Sequence, residues 1–309
     1  MDLSFLCCFT CDRPNRHASR VFSVSDPGQS YILTFSCPDS IGVVARYSQL
    51  FFECGINITE ISNYTDPVSD TFFLRCVFDV SGMSCSLEQF EARLRPVADE
   101  LQMTYLLRCV STLPKIVVAV SRYDHCLTAL LTKQRAGALP AQIVAVVSNH
   151  EDCRGLSEWH GVPFHYLPVT PESKPVQEAE MLAILRESEA DLLVLARYMQ
   201  ILSDELCSQL SGRAINIHHS FLPGFKGAKP YHQAYDRGVK VIGATAHYVT
   251  ADLDEGPIIA QEVRPIDHEI SVEQMVHLGH DTEATALSQA VRLHCEQRVI
   301  LNGQRTVVL

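Results

Sequence analysis

Residues 115–148 read KIVVAVSRYDHCLTALLTKQRAGALPAQIVAVVS, and this stretch decides the fold of the longer part of the chain. Two continuous apolar runs, KIVVAV and QIVAVVS, flank a segment whose apolar residues have helical spacing and which ends near Gly137. Such runs are typical of strands that are buried on both faces, and parallel strands need a crossover between them. The stretch therefore predicts a strand, a helix and a second, parallel strand.

The same alternation continues downstream. Further strands are predicted in PFHYLPV, DLLVLAR and RAINIHH, with helices in DCRGLSEWHG, PVQEAEMLAILRES and DELCSQL. The last part differs, because KVIGATAHYVT and GPIIAQEVRPI lie close together, as an antiparallel pair does. A long helix from Ser271 to about Ile300 is expected to close the unit. We predict an α/β domain over residues 112–309 with a doubly wound, mostly parallel, Rossmann-like sheet.

Upstream, the pattern changes to a smaller unit. Residues 29–111 contain, in order, the predicted elements YILTFSC, VVARYSQLFFECG, INITEISNYTD, TFFLRCVFDV, SLEQFEARLRPVADEL and TYLLRCV. Their order is βαββαβ, which predicts a ferredoxin-like sandwich. Residues 1–28 mix arginines with Pro and Gly without a sustained period, and we predict a poorly ordered N-terminal extension there.

Composition excludes several classes of protein. The 309 residues are 47% hydrophobic and 20% charged, with a formal net charge of −11, so the chain can bury a full core and carries no basic nucleic-acid footprint. No apolar run reaches the roughly 18 residues of a membrane span, and no signal-peptide pattern opens the chain. The twelve scattered cysteines indicate reduced thiols and a cytoplasmic protein. Cys8 and Cys11 form a C-x-x-C without a second ligand pair, so we predict no metal there.

The candidate chemistry lies where the strands end. Asn216 and His218 are two positions apart on a predicted strand, so their side chains share a face and can donate to one oxygen. Downstream, Asp254 precedes Gly256-Pro257, which predicts a tightly shaped loop. The nearby histidines are His219, His232 and His247. A metal site stays an alternative from these residues alone, although the spacings match no H-E-x-x-H signature and we predict none.

Other catalytic templates are absent from the sequence. It contains no G-x-S-x-G elbow, no G-x-x-x-x-G-K-[ST] loop and no G-x-G-x-x-G after a predicted strand. The sheet is therefore not an evident nucleotide binder or serine hydrolase.

Several motifs together resemble one known family. They are NIHHSFLP at residues 216–223, LDEGP at 253–257 and LARYMQIL at 195–202, with CPDSIG at 37–42 and GINI at 55–58 in the smaller unit. The first three are similar to folate-dependent formyltransferase domains, and the last two to an ACT domain. The combination, over about residues 30–309, resembles the formyltetrahydrofolate deformylases.

The resemblance implies a reaction and its residues. It implies hydrolysis of 10-formyltetrahydrofolate to tetrahydrofolate and formate, which balances one-carbon pools and supplies formate for purine synthesis, without a cofactor. The implied catalytic residues are Asp254, His218 and Asn216. The implied folate-binding residues are Tyr198, Met199, Gln200, Ile201, Leu202 and Leu253. From sequence alone, Met199 and Leu202 are also consistent with ordinary core positions.

The formyl acceptor is the point on which this family divides. Glycinamide ribonucleotide formyltransferases carry a G-x-G-S-N loop for the substrate phosphate, whereas this chain has Ser121-Arg122-Tyr123-Asp124-His125. Methionyl-tRNA formyltransferases add a basic C-terminal domain, and this chain is acidic. These differences favour water as the acceptor. The candidates for filling the acceptor space are His219, Lys229, Tyr231 and Gln233.

The ACT resemblance implies regulation and assembly. Asp39, Ser40, Ile41 and Gly42 are the implied effector-binding residues, with glycine or methionine as the effector, and the protein is expected to form a homo-oligomer through these domains. A purely architectural dimerisation domain is the alternative. Two other functions also stay open: a transferase with an unidentified amine acceptor, and a non-catalytic sensor of folate or amino acids.

Overall fold

The computed structural model of the chain describes residues 29–222 and 230–309. The extension predicted at residues 1–28, with its C-x-x-C, lies outside the described residues, and so does Lys229. Within the described ranges, no helix combines the length and the apolar composition that crossing a bilayer requires.

The first part of the described chain forms a four-stranded antiparallel sheet with two helices. Its elements are β1 (Ser30–Pro38), α1 (Val43–Glu53), β2 (Asn57–Asp66), β3 (Thr71–Asp79), α2 (Leu87–Glu100) and β4 (Thr104–Cys109). The strand order is β2-β3-β1-β4, and every pairing is antiparallel. This confirms the predicted βαββαβ ferredoxin-like unit.

Aromatic side chains fill the core between this sheet and its helices. The ring of Phe51 lies 5.1 Å from that of Phe78 and 5.4 Å from that of Phe90, measured between centroids. Phe35 of β1 contacts Tyr47 of α1 at 5.7 Å. Alternate residues of the strands point toward the helices. These residues and the apolar faces of α1 and α2 form one core.

The second part of the chain forms a seven-stranded sheet. Its elements are β5 (Lys115–Val120), α3 (His125–Arg135), β6 (Gln142–Ser148), α4 (Arg154–Trp159), β7 (Phe164–Tyr166), α5 (Lys174–Glu187), β8 (Leu192–Leu195), α6 (Asp204–Gln209), β9 (Ala214–His218), α7 (Pro230–Asp236), β10 (Val241–Tyr248), β11 (Ile258–Pro265) and α8 (Val272–Cys295). The order is β11-β10-β9-β8-β5-β6-β7. Strands β5 to β9 pair in parallel, and β10 and β11 are antiparallel, as predicted.

Helices cover both faces of this sheet. Along β5, Ile116, Val118 and Val120 pack with α3 and α8, whereas Val117 and Ala119 pack with α5 and α6 on the opposite face. All five side chains are fully buried. A strand that is buried on both faces needs apolar residues at every position, which explains the continuous run KIVVAV.

The chain ends in a hairpin, where a longer helix was expected. Helix α8 ends at Cys295, so the expectation that it extends to about Ile300 is wrong. The residues that follow form two paired antiparallel strands, β12 (Val299–Asn302) and β13 (Arg305–Val308). Between them, Gly303 and Gln304 form a two-residue turn, and the φ of 60° at Gly303 fits the glycine that a type II′ turn places first.

Asp66, at the end of β2, joins the two units. Its Oδ2 atom accepts hydrogen bonds from Asn302 Nδ2 and Arg305 Nη2, both at 2.7 Å. The hydrogen bond from Ser69 is the largest of the causes that lower the pKa of Asp66 to about 2, and burial opposes them only in part. An ionised carboxylate therefore holds the β12–β13 hairpin against the smaller sheet.

Replacing Asp66 with Asn should loosen this contact, because a neutral amide cannot form the ion pair with Arg305. The carboxylate has a lower pKa in the folded state than its ordinary 3.8. Its contribution to stability is therefore complete above that value and is lost as the pH falls from 3.8 toward 2. The thermal midpoints of wild type and Asp66→Asn should differ at neutral pH and converge toward pH 2. The exposed Asp152→Asn serves as the control, and a difference that does not change with pH would contradict the prediction.

Candidate active site

Two side chains that were predicted to act together lie at the carboxyl end of β9. Asn216 and His218 are two positions apart on this strand and line the same cavity. β9 lies inside the sheet, between parallel β8 and antiparallel β10. β10 ends beside the amino end of β9, where the Val249 amide donates to the carbonyl of Ala214 at 2.9 Å, and the loop that follows folds back so that Asp254 reaches His218.

The Asp254 carboxylate is paired with two imidazoles. Its Oδ2 atom lies 3.1 Å from Nδ1 of His218, and its Oδ1 atom lies 3.7 Å from Nε2 of His247. The side-chain nitrogen of Asn216 lies 3.4 Å from the same Nε2 atom. The three predicted residues thus converge, with His247 as a fourth member of the group.

The sequence pattern does not distinguish His247 from the other nearby histidines. In the structure it lies opposite Asn216 in the antiparallel register of β10 and β9. Its Nδ1 atom donates to the carbonyl of Tyr248 at 2.9 Å, because a carbonyl oxygen can only accept. This leaves Nε2 facing Asp254 and Asn216. The register of the two strands is the signal that identifies His247, and motif spacing does not contain it.

The loop that carries Asp254 has a constrained backbone. Asp254 has a φ of 57°, a left-handed conformation that is uncommon for a residue other than glycine. A Cβ atom at Gly256 would lie 1.7 Å from the carbonyl oxygen of Tyr248, and the Tyr248 amide donates to the Pro257 carbonyl at 2.9 Å. The Gly-Pro pair therefore fixes the loop against β10 and with it the position of the carboxylate.

Burial and the two histidines shift the pKa of Asp254 in opposite directions. Burial raises its pKa, but the hydrogen bonds and charges of His218 and His247 outweigh it and hold the pKa well below its usual range. The carboxylate is therefore ionised at neutral pH. Nε2 of His218 is buried and has no hydrogen-bond partner among residues 29–222 and 230–309. A buried nitrogen of this kind is available to a bound ligand.

These residues line a cavity of about 280 Å³. The loops after β8 and after β10 form two of its walls, and they include all the positions predicted to bind folate: Tyr198, Met199, Gln200, Ile201, Leu202 and Leu253. Met199, Ile201 and Leu253 are more than half exposed and offer an apolar surface. Tyr198 and Leu202 also belong to the core beneath the loop.

Comparison with known proteins places this site in a family. Residues 114–291 match the formyl transferase family. The chain is 47% identical to the formyltetrahydrofolate deformylase of Corynebacterium sp. (strain P-1), over 90% of this chain and 98% of that protein. The crystal structure of formyltetrahydrofolate deformylase from Burkholderia mallei is 46% identical, covers 91% of this chain and 99% of that one, and superposes with a TM-score of 0.87.

The chain belongs to the formyltetrahydrofolate deformylase family. Glycinamide ribonucleotide transformylase 1 from Symbiobacterium toebii is 33% identical and covers only 64% of this chain and 94% of that one, with a TM-score of 0.59. The likeness to the deformylases thus extends well beyond the part of the chain that a transformylase shares. The fold class and the family inferred from the sequence motifs are both confirmed.

The implied effector residues of this deformylase-family chain lie away from the cavity, in the turn between β1 and α1. Gly42 has a φ of 99° and precedes α1, which has no side-chain cap at its N-terminus. Ile41 is fully exposed, and the amide of Asp39 donates to the carbonyl of Asp70 at 2.9 Å. The Val43 amide donates to the carbonyl of Ser40 at 3.4 Å, and among the described residues no side chain caps the amides that follow in the first turn of α1.

The four candidates for the acceptor space separate in the structure. His219 lines the cavity, and its ring stacks on that of His218 at 4.9 Å. Tyr231 is buried and donates to Glu283 at 2.6 Å. Gln233 is on the exposed side of α7, and the remaining candidate lies outside the described residues.

A second polar cluster contains the residue types that bind metal ions. Among the described residues, one group brings three possible ligand atoms within 4.8 Å of one another: His125, Cys126 and Glu283. The Glu283 oxygens already contact His125 at 2.8 Å, Tyr231 at 2.6 Å and the Arg197 guanidinium at 3.3 Å. Burial raises the pKa of the Cys126 thiol well above its usual value, which disfavours the thiolate that binds metals. These donors do not fit a metal ion.

Gly256→Ala should displace the Asp254 loop, because the added carbon overlaps a backbone oxygen that cannot move away. We expect a loss of about 1–3 kcal/mol in the free energy of unfolding. Gly155→Ala is the matched control: it lies in helix α4 in open space, and alanine there should be neutral or stabilise by up to about 1 kcal/mol. Urea denaturation of the two variants measures the difference. Equal stability would show that the loop is not anchored at Gly256.

Proposed function

We propose that this protein hydrolyses 10-formyltetrahydrofolate to tetrahydrofolate and formate. The observation that carries the proposal is the near full-length likeness to formyltetrahydrofolate deformylases, combined with an ionised carboxylate held against an imidazole at the end of β9. The chemistry is that of a hydrolase acting on the C–N bond of a linear amide. No metal or redox cofactor is needed in this scheme.

Asp254 orients the attacking water. Its carboxylate is ionised and can only accept hydrogen bonds, so it binds a water molecule and directs the oxygen lone pair toward the formyl carbon. Because its pKa is low, it is a weak base toward free water. Proton transfer to Asp254 therefore accompanies bond formation, when the attacking oxygen becomes acidic.

His218 and Asn216 stabilise the charge that develops on the formyl oxygen. The Asp254 carboxylate accepts from Nδ1 of His218, and the buried Nε2–H on the other side of the ring donates to the oxyanion. The Asn216 amide donates from the same strand face. As the tetrahedral intermediate collapses, the C–N10 bond breaks, N10 takes up a proton, and formate and tetrahydrofolate leave.

The two loops that line the cavity hold the folate. The pterin ring is flat and apolar on its faces, and Met199, Ile201 and Leu253 offer exposed apolar side chains that can cover them. Gln200 and the backbone of the loop after β8 supply polar partners for its edge.

Replacing Asp254 with Asn should remove hydrolysis, because the amide cannot accept the proton of water. A fall of about 10²–10⁴-fold in the rate of formate release is expected. The assay uses 10-formyltetrahydrofolate without any amine and quantifies formate and tetrahydrofolate, which wild type should release in equal amounts. Glu255→Gln is the control, since this neighbouring carboxylate does not line the cavity. Undiminished release by Asp254→Asn would remove Asp254 from the mechanism.

We further propose that the ferredoxin-like unit is an ACT regulatory domain that binds glycine or methionine, and that the protein is a cytoplasmic homo-oligomer joined through these domains. The uncapped amides at the start of α1, beside Asp39, Ser40, Ile41 and Gly42, can bind the amino-acid carboxylate. β2 is an edge strand with half-exposed Ile61 and Tyr64, a surface that a second copy can cover.

Hydrolysis should respond to glycine or methionine, and Gly42→Ala should weaken the response by adding a side chain at the proposed site. Gly137→Ala is matched to it, because both glycines have positive φ and open space around the new carbon. Both variants place alanine at a positive φ, 99° and 69°, but only the first lies at the proposed site and should change the effector concentration for half-maximal response. Constant wild-type activity across a wide range of both amino acids would overturn the regulatory proposal.

A further inference from the structure

Arg197 directly precedes the folate loop after β8, and its side chain is buried. It is 9% exposed and has a φ of 64°, a conformation that is strained for any residue other than glycine. β8 and β9 pair in parallel, with Leu195 opposite Asn216. Arg197 follows Leu195 by two residues, and His218 follows Asn216 by two residues. Both residues lie at the carboxyl ends of neighbouring strands and line the same cavity.

The guanidinium is held from behind by the second polar cluster. Its Nε atom lies 3.3 Å from Oε2 of the fully buried Glu283, and its Cζ atom lies 5.1 Å from the centre of the Tyr123 ring. Tyr231 donates to Oε1 of Glu283 at 2.6 Å, and His125 Nε2 lies 2.8 Å from Oε2. Residues from α3 and α7 thus fix one carboxylate, which in turn fixes Arg197, and Tyr123 in the turn after β5 contacts Arg197 directly.

Arg197 is also the boundary of the cavity. It lines the cavity, but Tyr123, Tyr231 and Glu283 do not. Its Nε and Nη1 atoms are buried without a hydrogen-bond partner in the part of the chain that the structure describes. Arg197 therefore lies between the cavity and the buried carboxylate of Glu283. The other two walls are the loops to which folate binding is assigned.

We propose that Arg197 is a specificity-determining residue that closes the acceptor side of the cavity, so that water and no amine reaches the formyl carbon. The inference rests on the proposed hydrolysis and explains how a formyltransferase fold uses water as its acceptor. Glu283 and Tyr123 act as positioning residues for this side chain.

The chemistry separates the two acceptors by their size and charge. In hydrolysis, the water oxygen bonds to the formyl carbon, the C–N10 bond breaks, N10 gains a proton and formate leaves. In transfer, an amine nitrogen would form the new bond, C–N10 would break in the same way, and the proton lost by the amine would pass to N10. The amine also needs room for its substituent, which Arg197 occupies, and its protonated form is repelled by the guanidinium.

The test follows the fate of a ¹³C-labelled formyl group in the presence of glycinamide, a small primary amine. Wild type should place all label in formate at every amine concentration. Arg197→Gly, which also relieves the backbone strain, should form N-formylglycinamide in proportion to the amine. Its ratio of N-formylglycinamide to formate should be at least about tenfold above the wild-type background. Arg122→Ala, at an exposed neighbouring arginine, should match wild type.

Product partition distinguishes this role from a purely structural one, because a loosened fold lowers total turnover without creating a new product. Label that stays in formate while Arg197→Gly still hydrolyses would overturn the inference and leave the proposed function intact. If Arg197→Gly releases neither product, Tyr123→Ala decides: formylated amine supports the inference, and formate alone or no product overturns it. Wild type that releases no formate would overturn the proposed function itself.

Discussion

The contact between His218 and Asp254 is the interaction on which the site depends. A half-buried carboxylate is costly unless cations or donors surround it, and here two histidines from two antiparallel strands do so. In that arrangement β10 ends beside the amino end of β9, and the loop after β10 folds back toward His218. The close packing of Gly256 on β10 then fixes the carboxylate where the histidines lie.

This pairing also limits what Asp254 can do. A general base is most effective when its pKa is close to the working pH, whereas the histidines hold the pKa of Asp254 far below it. The gain lies elsewhere: the ionised carboxylate orients the His218 ring and gives the water one direction of approach. The site therefore relies more on prearranged charge than on base strength, as a stabilised oxyanion requires.

Patterns of apolar residues predicted both units and most of their elements, because each strand and helix is specified locally by its own period. The terminal hairpin was missed although Gly303, at the first position of its two-residue turn, is a local signal. His247, Arg197 and Glu283 could not be found in this way. His247 depends on the register between two strands, and Glu283 looks like one more polar residue on a long helix until the fold buries it against Arg197.

Helix α8 is the element through which the two units can influence each other. Arg75 of the smaller sheet donates to the carbonyl of Glu296, directly after α8, at 3.1 Å. The middle of the same helix carries Glu283, which holds Arg197 at the wall of the cavity. Near its end, His294 shares a hydrogen bond of 2.7 Å with the hydroxyl of Tyr248, which follows His247. These contacts link the smaller sheet to both sides of the cavity through one helix.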